Sequence, residues 1–283
     1  MQTHVQTHDG LALQLREWSS PSTPRGQVLI VHGLGEHAGR YAHVAAALNA
    51  HGWQVMSYDQ RGHGGSAGAQ GDIAAPDSLL ADVARVIDVV RAQPQGPLVL
   101  LGHSLGGLVA ARFVAEALMP QPAGWSRPVD ALVLSSPALD PGMNAVQKFL
   151  LAVVPKVLPH LRVNNGLKPE WISRDMAVVQ AYINDPQVHD RISGLMGQFI
   201  AEAGPVVQAR AGQWHVPTLL MWAGADRCVS PAGSARFAAA TSRSVVTVRE
   251  WPGFSHEIFN EPEKEEVLAE LDTWLDQRYP SGV

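Results

Sequence analysis

The stretch PLVLLGHSLGGLVAARFVAEAL, Pro97–Leu118, sets one apolar run against another, with Ser104 between them and glycine at positions 102, 106 and 107. A short apolar run bounded by glycine reads as a buried strand. The small-residue run that follows, apolar nearly all round, reads as a helix packed on a sheet. Joining the two within a few residues demands an abrupt turn, and such a turn can hold a serine Oγ exposed above a sheet, in the pattern G-x-S-x-G. The same pattern also occurs in tight turns that merely contain serine, so its meaning rests on what the rest of the chain supplies.

Outward from this point the chain alternates. Upstream lie period-two apolar residues Leu11, Leu13 and Leu15, a hairpin edge. A buried strand at 28–31, a helix at 40–50, a strand at 53–58 and a helix at about 76–91 follow; Leu79, Leu80, Val83, Val86, Ile87 and Val90 share one face of that helix. Downstream, ALVLSSPALD, PTLLMWAGAD and SVVTVREWPG supply further buried strands, with helices at about 231–240 and 262–277. Continuous apolar strands alternating with helices predict an α/β fold, a mostly parallel sheet covered by helices on both faces. The segment 141–213 breaks the rhythm with helix-like pieces, prolines and no buried-strand run. It is expected to be a helical lid inserted between two strands, over their carboxyl ends, with residues 1–140 and 214–283 forming the core; roughly 70 residues make a marginal core alone.

Composition narrows the chemistry. The 283 residues are 46% hydrophobic and 17% charged, enough apolar material for one sizeable core. A net charge of -5 without a Lys/Arg-rich run leaves no footprint for nucleic acid. The single cysteine, Cys228, excludes an intramolecular disulfide and a thiolate metal cluster within one chain and suits a reducing compartment. The polar start MQTHVQTHDG lacks the blocks of a signal peptide, so the expected location is cytoplasmic. The longest apolar run, Phe149–Leu161, falls short of the roughly 20 residues needed to span a bilayer and is interrupted by Pro155, Lys156 and Pro159.

A serine hydroxyl needs a base to take its proton, and the base needs a carboxylate to hold its tautomer. Asp226 and His256 both sit just beyond apolar strands, in the order Ser, Asp, His. Asp140 competes as the acid but stands where the chain leaves for the lid. His103 adjoins Ser104, yet neighbours on an elbow point in different directions, so it is set aside as a base. His32, His37 and His63 lie in glycine-rich turns without a carboxylate or cysteine at ligand spacing, and no metal is expected. Oxyanion donors are expected at the backbone N–H of Leu105, after the nucleophile, and of Leu34, in the glycine-flanked loop after the strand at 28–31. That loop supports one rival. Gly33, Gly35 and Ala38 with Asp59 satisfy a dinucleotide fingerprint and would make the chain a nicotinamide-dependent oxidoreductase. Glu36 and His37 stand where pyrophosphate would bind, and a carboxylate there repels phosphate.

HGLGEHAGRY, YDQRGHGGS, GHSLGG, SSPAL, AGADRCVSP and WPGFSHEIFNEP together resemble the monoacylglycerol lipase and lysophospholipase-like branch of the α/β-hydrolase superfamily, over residues from about 10 to 278. The resemblance implies that Ser104 is the nucleophile, Asp226 the orienting acid, His256 the base, and Leu34 and Leu105 the oxyanion donors. It implies hydrolysis of single-chain acyl esters without a cofactor, and leaves lysophospholipase, general carboxylesterase and acyltransferase open on the same triad. Phe149, Leu150, Leu151, Val153, Val154, Val157, Leu158 and Leu161, edged by Lys148, Lys156 and Arg162, are divided in expectation between lid core, an acyl tunnel and an apolar patch for peripheral contact with lipid aggregates or a membrane surface. Cys228, two residues after Asp226, is expected to be a small buried hydrophobe.

Overall fold

The computed structural model describes residues 3–20, 23–92 and 96–280, apart from the side chains of Ala145, Val146, Lys148, Phe149, Leu150 and Ala152. The chain opens with β1 (His4–Gln6) and β2 (Ala12–Trp18), then alternates through β3 (Gly26–Val31), α1 (Ala42–Ala50), β4 (Trp53–Tyr58), α2 (Ser78–Arg91), β5 (Leu98–His103), α3 (Leu105–Glu116) and β6 (Ala131–Ser135). A connecting segment carries α4 (Ala145–Val157), β7 (Arg162–Asn164), α5 (Met176–Asn184), β8 (Arg191–Ser193) and α6 (Gly194–Arg210). Alternation resumes with β9 (Thr218–Ala223), α7 (Pro231–Ala240), β10 (Val246–Trp251) and α8 (Lys264–Arg278). The main sheet has the order β1-β2-β4-β3-β5-β6-β9-β10. The β1–β2 and β2–β4 pairs are antiparallel and the rest parallel. This is the doubly covered sheet predicted from the apolar runs.

The central strands are buried along their whole length because their side chains feed two cores in alternation. Leu29 and Val31 of β3, Leu98 and Leu100 of β5, and Leu132 and Leu134 of β6 join one cluster with α2, α3, α6 and α7. Val28, Ile30, Val99, Leu101, Ala131 and Val133 join the other, with α1 and α8. Helix α6 belongs to the first cluster through Met196, Phe199, Ile200, Ala203 and Val207, so the connecting segment is packed into the molecule at its end. Its two short strands pair antiparallel across α5, with β7 exposed. Asp140, at the start of this segment, pairs with Arg236 at 2.6 Å and lines a separate cavity with Met143, Pro205 and Gln208.

The turn between β5 and α3 decides where the chemistry can stand. Ser104 has φ 54° and ψ -119°, one of two described non-glycine residues with positive φ. Its N–H donates to Ser135 O at 3.0 Å and its carbonyl accepts from Leu108 and Ala138, both at 3.0 Å. A Cβ on Gly106 would collide with the carbonyls of Val31 and His32, and one on Gly107 would press on Pro137 Cα at 3.0 Å. The glycines therefore let α3 lie directly on the carboxyl end of β3, which no side chain would permit.

Replacing Gly106 with alanine should push α3 off the sheet. A loss of about 1–3 kcal/mol or more is expected in equilibrium urea unfolding, since backbone rather than a flexible side chain obstructs the methyl. An unchanged denaturation midpoint would mean that α3 shifts without cost.

Candidate active site

Ser104, Asp226 and His256 stand beyond the carboxyl ends of β5, β9 and β10. His256 Nδ1 donates to Asp226 Oδ2 at 2.6 Å, with the two side chains 6% and 1% exposed. Asp226 Oδ1 accepts from the N–H groups of Cys228 and Val229 at 2.8 and 3.1 Å, which turns its other oxygen toward the imidazole. The loops that carry the pair are bonded to each other: Gly224 N–H donates to Trp251 O at 2.8 Å and Ala225 N–H to Phe254 O at 3.2 Å. Ser104 and His256 line one cavity of about 400 Å³, together with Leu34, Tyr182, His189 and Cys228. Leu105 is buried at the first position of α3.

Electrostatics at the imidazole favour its charged form. Burial opposes the charge of His256, but the charge and hydrogen bond of Asp226, with Glu257 and Glu36 behind them, outweigh burial and raise its pKa above the ordinary 6.5. His103 shares this cavity, contrary to the expectation that it would point elsewhere: its ring centre lies 4.8 Å from that of His256, and its Nδ1 is hydrogen-bonded to Ser135 Oγ at 3.0 Å. Burial and then the neighbouring His256 charge push His103 down to about 4. It is thus a neutral ring against the imidazole and remains unsuited to be the base.

A charged network behind the cavity is the largest feature that reading the sequence missed. Arg40 Nη1 donates to Glu36 Oε2 and Glu257 Oε1, both at 2.6 Å, and Nη2 donates to Glu257 Oε2 at 2.7 Å. Glu36 Oε1 accepts from Gly33 N–H at 2.6 Å and from Tyr41 OH at 2.7 Å. The Arg40 guanidinium also lies 4.9 Å from the Tyr182 ring. Burial opposes the Glu36 charge, yet Arg40 leads the groups that hold its carboxyl well below the usual range. One signal was available, the i,i+4 spacing of Glu36 and Arg40. In the sequence Glu36 reads only as a carboxylate that repels phosphate.

The remaining candidates have definite places. Asp59 accepts from Ala38 N–H and Gly65 N–H, both at 2.8 Å, so each carboxylate oxygen joins a loop and the dinucleotide pattern around it serves as a structural clamp. His32 donates from Nδ1 to Gly33 O and accepts at Nε2 from Gln60 N–H. His37 donates to Asp185 at 2.9 Å, and His63 to Arg61 O at 2.9 Å. The Cys228 thiol lies close to both Asp226 and His256, and burial followed by the charges of Asp226 and Glu257 raises its pKa, leaving a thiol rather than a thiolate. Among the described side chains of the run 149–161, none lines the cavity; the apolar wall that the connecting segment gives it is Leu167, Pro169, Ile172, Ile183 and Val188. Val153, Val157, Leu158 and Leu161 are 45–70% exposed, while Phe149, Leu150 and the edge residue Lys148 lie outside the described side chains.

A family model described as serine aminopeptidase S33 (Hydrolase_4) matches residues 22–263. The monoacylglycerol lipase of Mycolicibacterium smegmatis is 32% identical over 270 residues, 94% of this chain and 93% of that protein. An abhydrolase domain-containing protein of Dictyostelium discoideum is 30% identical over 98% of this chain, which spans 29% of that longer protein. The crystal structure of the Paleococcus ferrophilus monoacylglycerol lipase superposes with a TM-score of 0.81 at 34% identity, over 94% of this chain and 98% of that one. The fold is therefore the α/β-hydrolase fold that the motifs imply.

The electrostatic balance at His256 can be read directly. NMR titration should give its ring a midpoint above 6.5, and Asp226→Asn should move that midpoint down, because the substitution removes the charge that offsets burial. A midpoint unmoved by the substitution would place the stabilising charge elsewhere.

Proposed function

The chain belongs to the serine aminopeptidase S33 family of hydrolases, and from that premise we propose that it is a serine carboxylic-ester hydrolase acting on single-chain acyl esters of the monoacylglycerol type. The observation that carries this reading is the 2.6 Å bond from His256 Nδ1 to Asp226 Oδ2 at the wall of the cavity that Ser104 enters from its strained turn. Asp226 fixes the tautomer in which Nε2 is the basic nitrogen. His256 takes the Ser104 proton as Oγ attacks the ester carbonyl, then protonates the departing alcohol, and water repeats the cycle on the acyl-enzyme. The backbone N–H groups of Leu34 and Leu105 are the donors proposed for the tetrahedral oxyanion. Gly33 N–H is spent on Glu36, which favours the next amide in that loop for the task.

The family's aminopeptidase description is a weaker fit for this cavity. An α-ammonium group calls for an unpaired carboxylate, and the carboxylates here are engaged: Glu36 and Glu257 by Arg40, Asp185 by His37, and Asp190 by Arg191. The apolar wall of Leu34, Leu167, Ile172, Ile183 and Val188 suits an acyl chain, and two of the relatives named above are monoacylglycerol lipases. We assign the cover of the cavity to residues 141–213. Exposed Val153, Val157, Leu158 and Leu161 beside Lys156 and Arg162 form the face proposed to touch lipid aggregates or a membrane surface without spanning it. No described helix is long and apolar enough to cross a membrane. One cysteine in 283 residues suits a cytoplasmic setting, with peripheral association through that face.

A fluorophosphonate should label Ser104, and Ser104→Ala should abolish both labelling and ester hydrolysis. Retained hydrolysis in that variant would end the mechanism. Asp226→Asn should leave a small residual activity, lower by about 10⁴-fold in kcat, the loss met when a triad aspartate becomes asparagine.

The face is tested separately. With Val157 and Leu158 both changed to serine, turnover of long-chain, aggregated monoacylglycerol should fall by about one to two orders of magnitude, at roughly 0.8 kcal/mol per buried methylene, while short soluble esters are spared. Equal losses on both would make these residues part of the fold's stability and not a docking face.

A further inference from the structure

His103 ends β5 and Ser135 ends β6, and the parallel register of these strands sets the two residues side by side. Paired residues leave a sheet on the same face, and the Ser135 hydroxyl meets the His103 ring at 3.0 Å from Nδ1. Ser135 also holds the elbow, since its carbonyl accepts from Ser104 N–H at 3.0 Å. The His103 ring is 4.8 Å from that of His256, tilted by 53°, and 6.5 Å from that of Tyr41. A Cβ on Gly33 would lie 3.5 Å from its Cδ2, so the loop after β3 borders it as well. His103 is therefore pinned at one edge and packed against the proposed base.

Hydrogen bonding fixes where its proton sits. A buried hydroxyl gives its hydrogen to an acceptor. Ser135 is fully buried, and among the described residues its Oγ has no partner other than His103 Nδ1. The serine therefore donates, Nδ1 accepts, and the neutral ring carries its hydrogen on Nε2. The neighbouring ring is the opposite tautomer, with its hydrogen on Nδ1 for Asp226 and its lone pair on Nε2. Protonating His103 would place a second hydrogen at Nδ1 and break the Ser135 bond. Burial and the His256 charge oppose that step, against the pull of Glu36, Glu257 and Asp226, which face the ring from separate loops. A proton that enters the pair of rings thus settles on His256.

The bond from Asp226 sets one atom of the His256 ring and leaves the ring free to turn about it. Its plane matters, because Nε2 has to meet Ser104 Oγ and then the departing oxygen, and a displacement of about 1 Å costs about 10²-fold in rate. Resting on the ester-hydrolase reading, we propose that His103 is a positioning residue: a neutral imidazole, locked by Ser135 in its Nε2–H form, that holds the plane of His256 and leaves His256 as the one ring of the pair to take the serine's proton. Packing supplies the wall, and the Ser135 bond keeps the wall from turning.

Nitrogen NMR of the imidazole rings in the full chain reads the lock without reference to turnover. His103 should carry its hydrogen on Nε2 and stay neutral down to about pH 5, since its pKa lies at about 4. Ser135→Ala should leave a mixture of tautomers at His103. Hydrogen on Nδ1 in the unaltered chain, a charged His103 ring at pH 6, or a single unchanged tautomer in Ser135→Ala overturns the lock.

Kinetics on a short soluble ester read the wall. His103→Ala should lower kcat by about ten- to hundredfold while KM stays within about threefold of its original value. His103→Phe restores a ring and should bring kcat back to within about threefold. The pH profile carries a second signature. Burial lowers the His256 pKa, and water admitted by His103→Ala relieves that burial, so the pKa rises further and the acid limb of kcat/KM, which requires neutral His256, moves to higher pH. His103→Phe should leave the limb in place. Unchanged kcat or an unmoved limb in His103→Ala refutes the wall, as does a His103→Phe variant no better than His103→Ala, which would make Nε2–H a substrate contact. Circular dichroism checks that each variant is folded; where alanine at 103 is not tolerated, the NMR of the unaltered chain and of Ser135→Ala decides. All of these outcomes leave the triad standing, whereas hydrolysis retained in Ser104→Ala would refute the ester-hydrolase reading itself.

Discussion

Helix α3 lies on the end of β3 with backbone against backbone. Gly106 faces the carbonyls of Val31 and His32 with no room for a methyl group between them. Much of the site follows from that approach. The turn that leads into it passes through the positive φ of Ser104. It brings the Gly33 loop so near the elbow that a Cβ on Gly33 would lie 3.2 Å from Ser104 Cβ. The strain at Ser104 is held by hydrogen bonds on both sides, from its N–H to Ser135 O and from Ala138 N–H to its carbonyl. A rigid sheet with both faces covered is what lets so small a region keep an unfavourable backbone conformation.

Charge is handled differently in front of the imidazole and behind it. Asp226 spends one oxygen on two backbone N–H groups and the other on His256, so the carboxylate is satisfied and its direction set. Behind it, one arginine serves two glutamates, and the arrangement is affordable only because Tyr41, Gly33 N–H and Asn260 supply further donors. Through Gly33 the same network fixes the loop that carries Leu34. The electrostatics that raise the His256 pKa and the hydrogen bonds that shape the loop are thus parts of one cluster.

The connecting segment is joined to these loops at separate points. His189 N–H donates to Gly35 O and Ser193 N–H to Gly71 O, both at 2.9 Å, while Glu257 N–H donates to Ile172 O at 2.8 Å. Gly35 and Gly71 both have positive φ, and a Cβ at either would strike the segment's backbone. Each bond joins the segment to a different loop of the core, two of them at the cavity. The wall that the segment presents is therefore registered against the elbow and the imidazole through main-chain bonds, whereas its α4 face is left with exposed valine and leucine.

The alternation of buried strands and helices, the elbow at Ser104 and the positions of Asp226 and His256 just beyond strands were all legible in the sequence, because each is a local pattern of apolar run, turn and side chain. The apolar run at 149–161 was legible as a run, but its relation to the cavity was not, since the side of the helix that meets the molecule depends on what packs there. His103 was misplaced because sequence adjacency at a turn says little about direction; its place is set by Ser135 on one side and His256 on the other. The network of Glu36, Arg40 and Glu257 was missed for the same reason at longer range, as Arg40 and Glu257 are 217 positions apart. Periodicity and turn chemistry act between neighbours in the chain, and so the sequence by itself determined the sheet, its covering helices and the strand ends that carry the three candidate residues. Which charged groups neutralise one another and which ring meets the imidazole were decided only when the tertiary structure brought distant loops within hydrogen-bond distance.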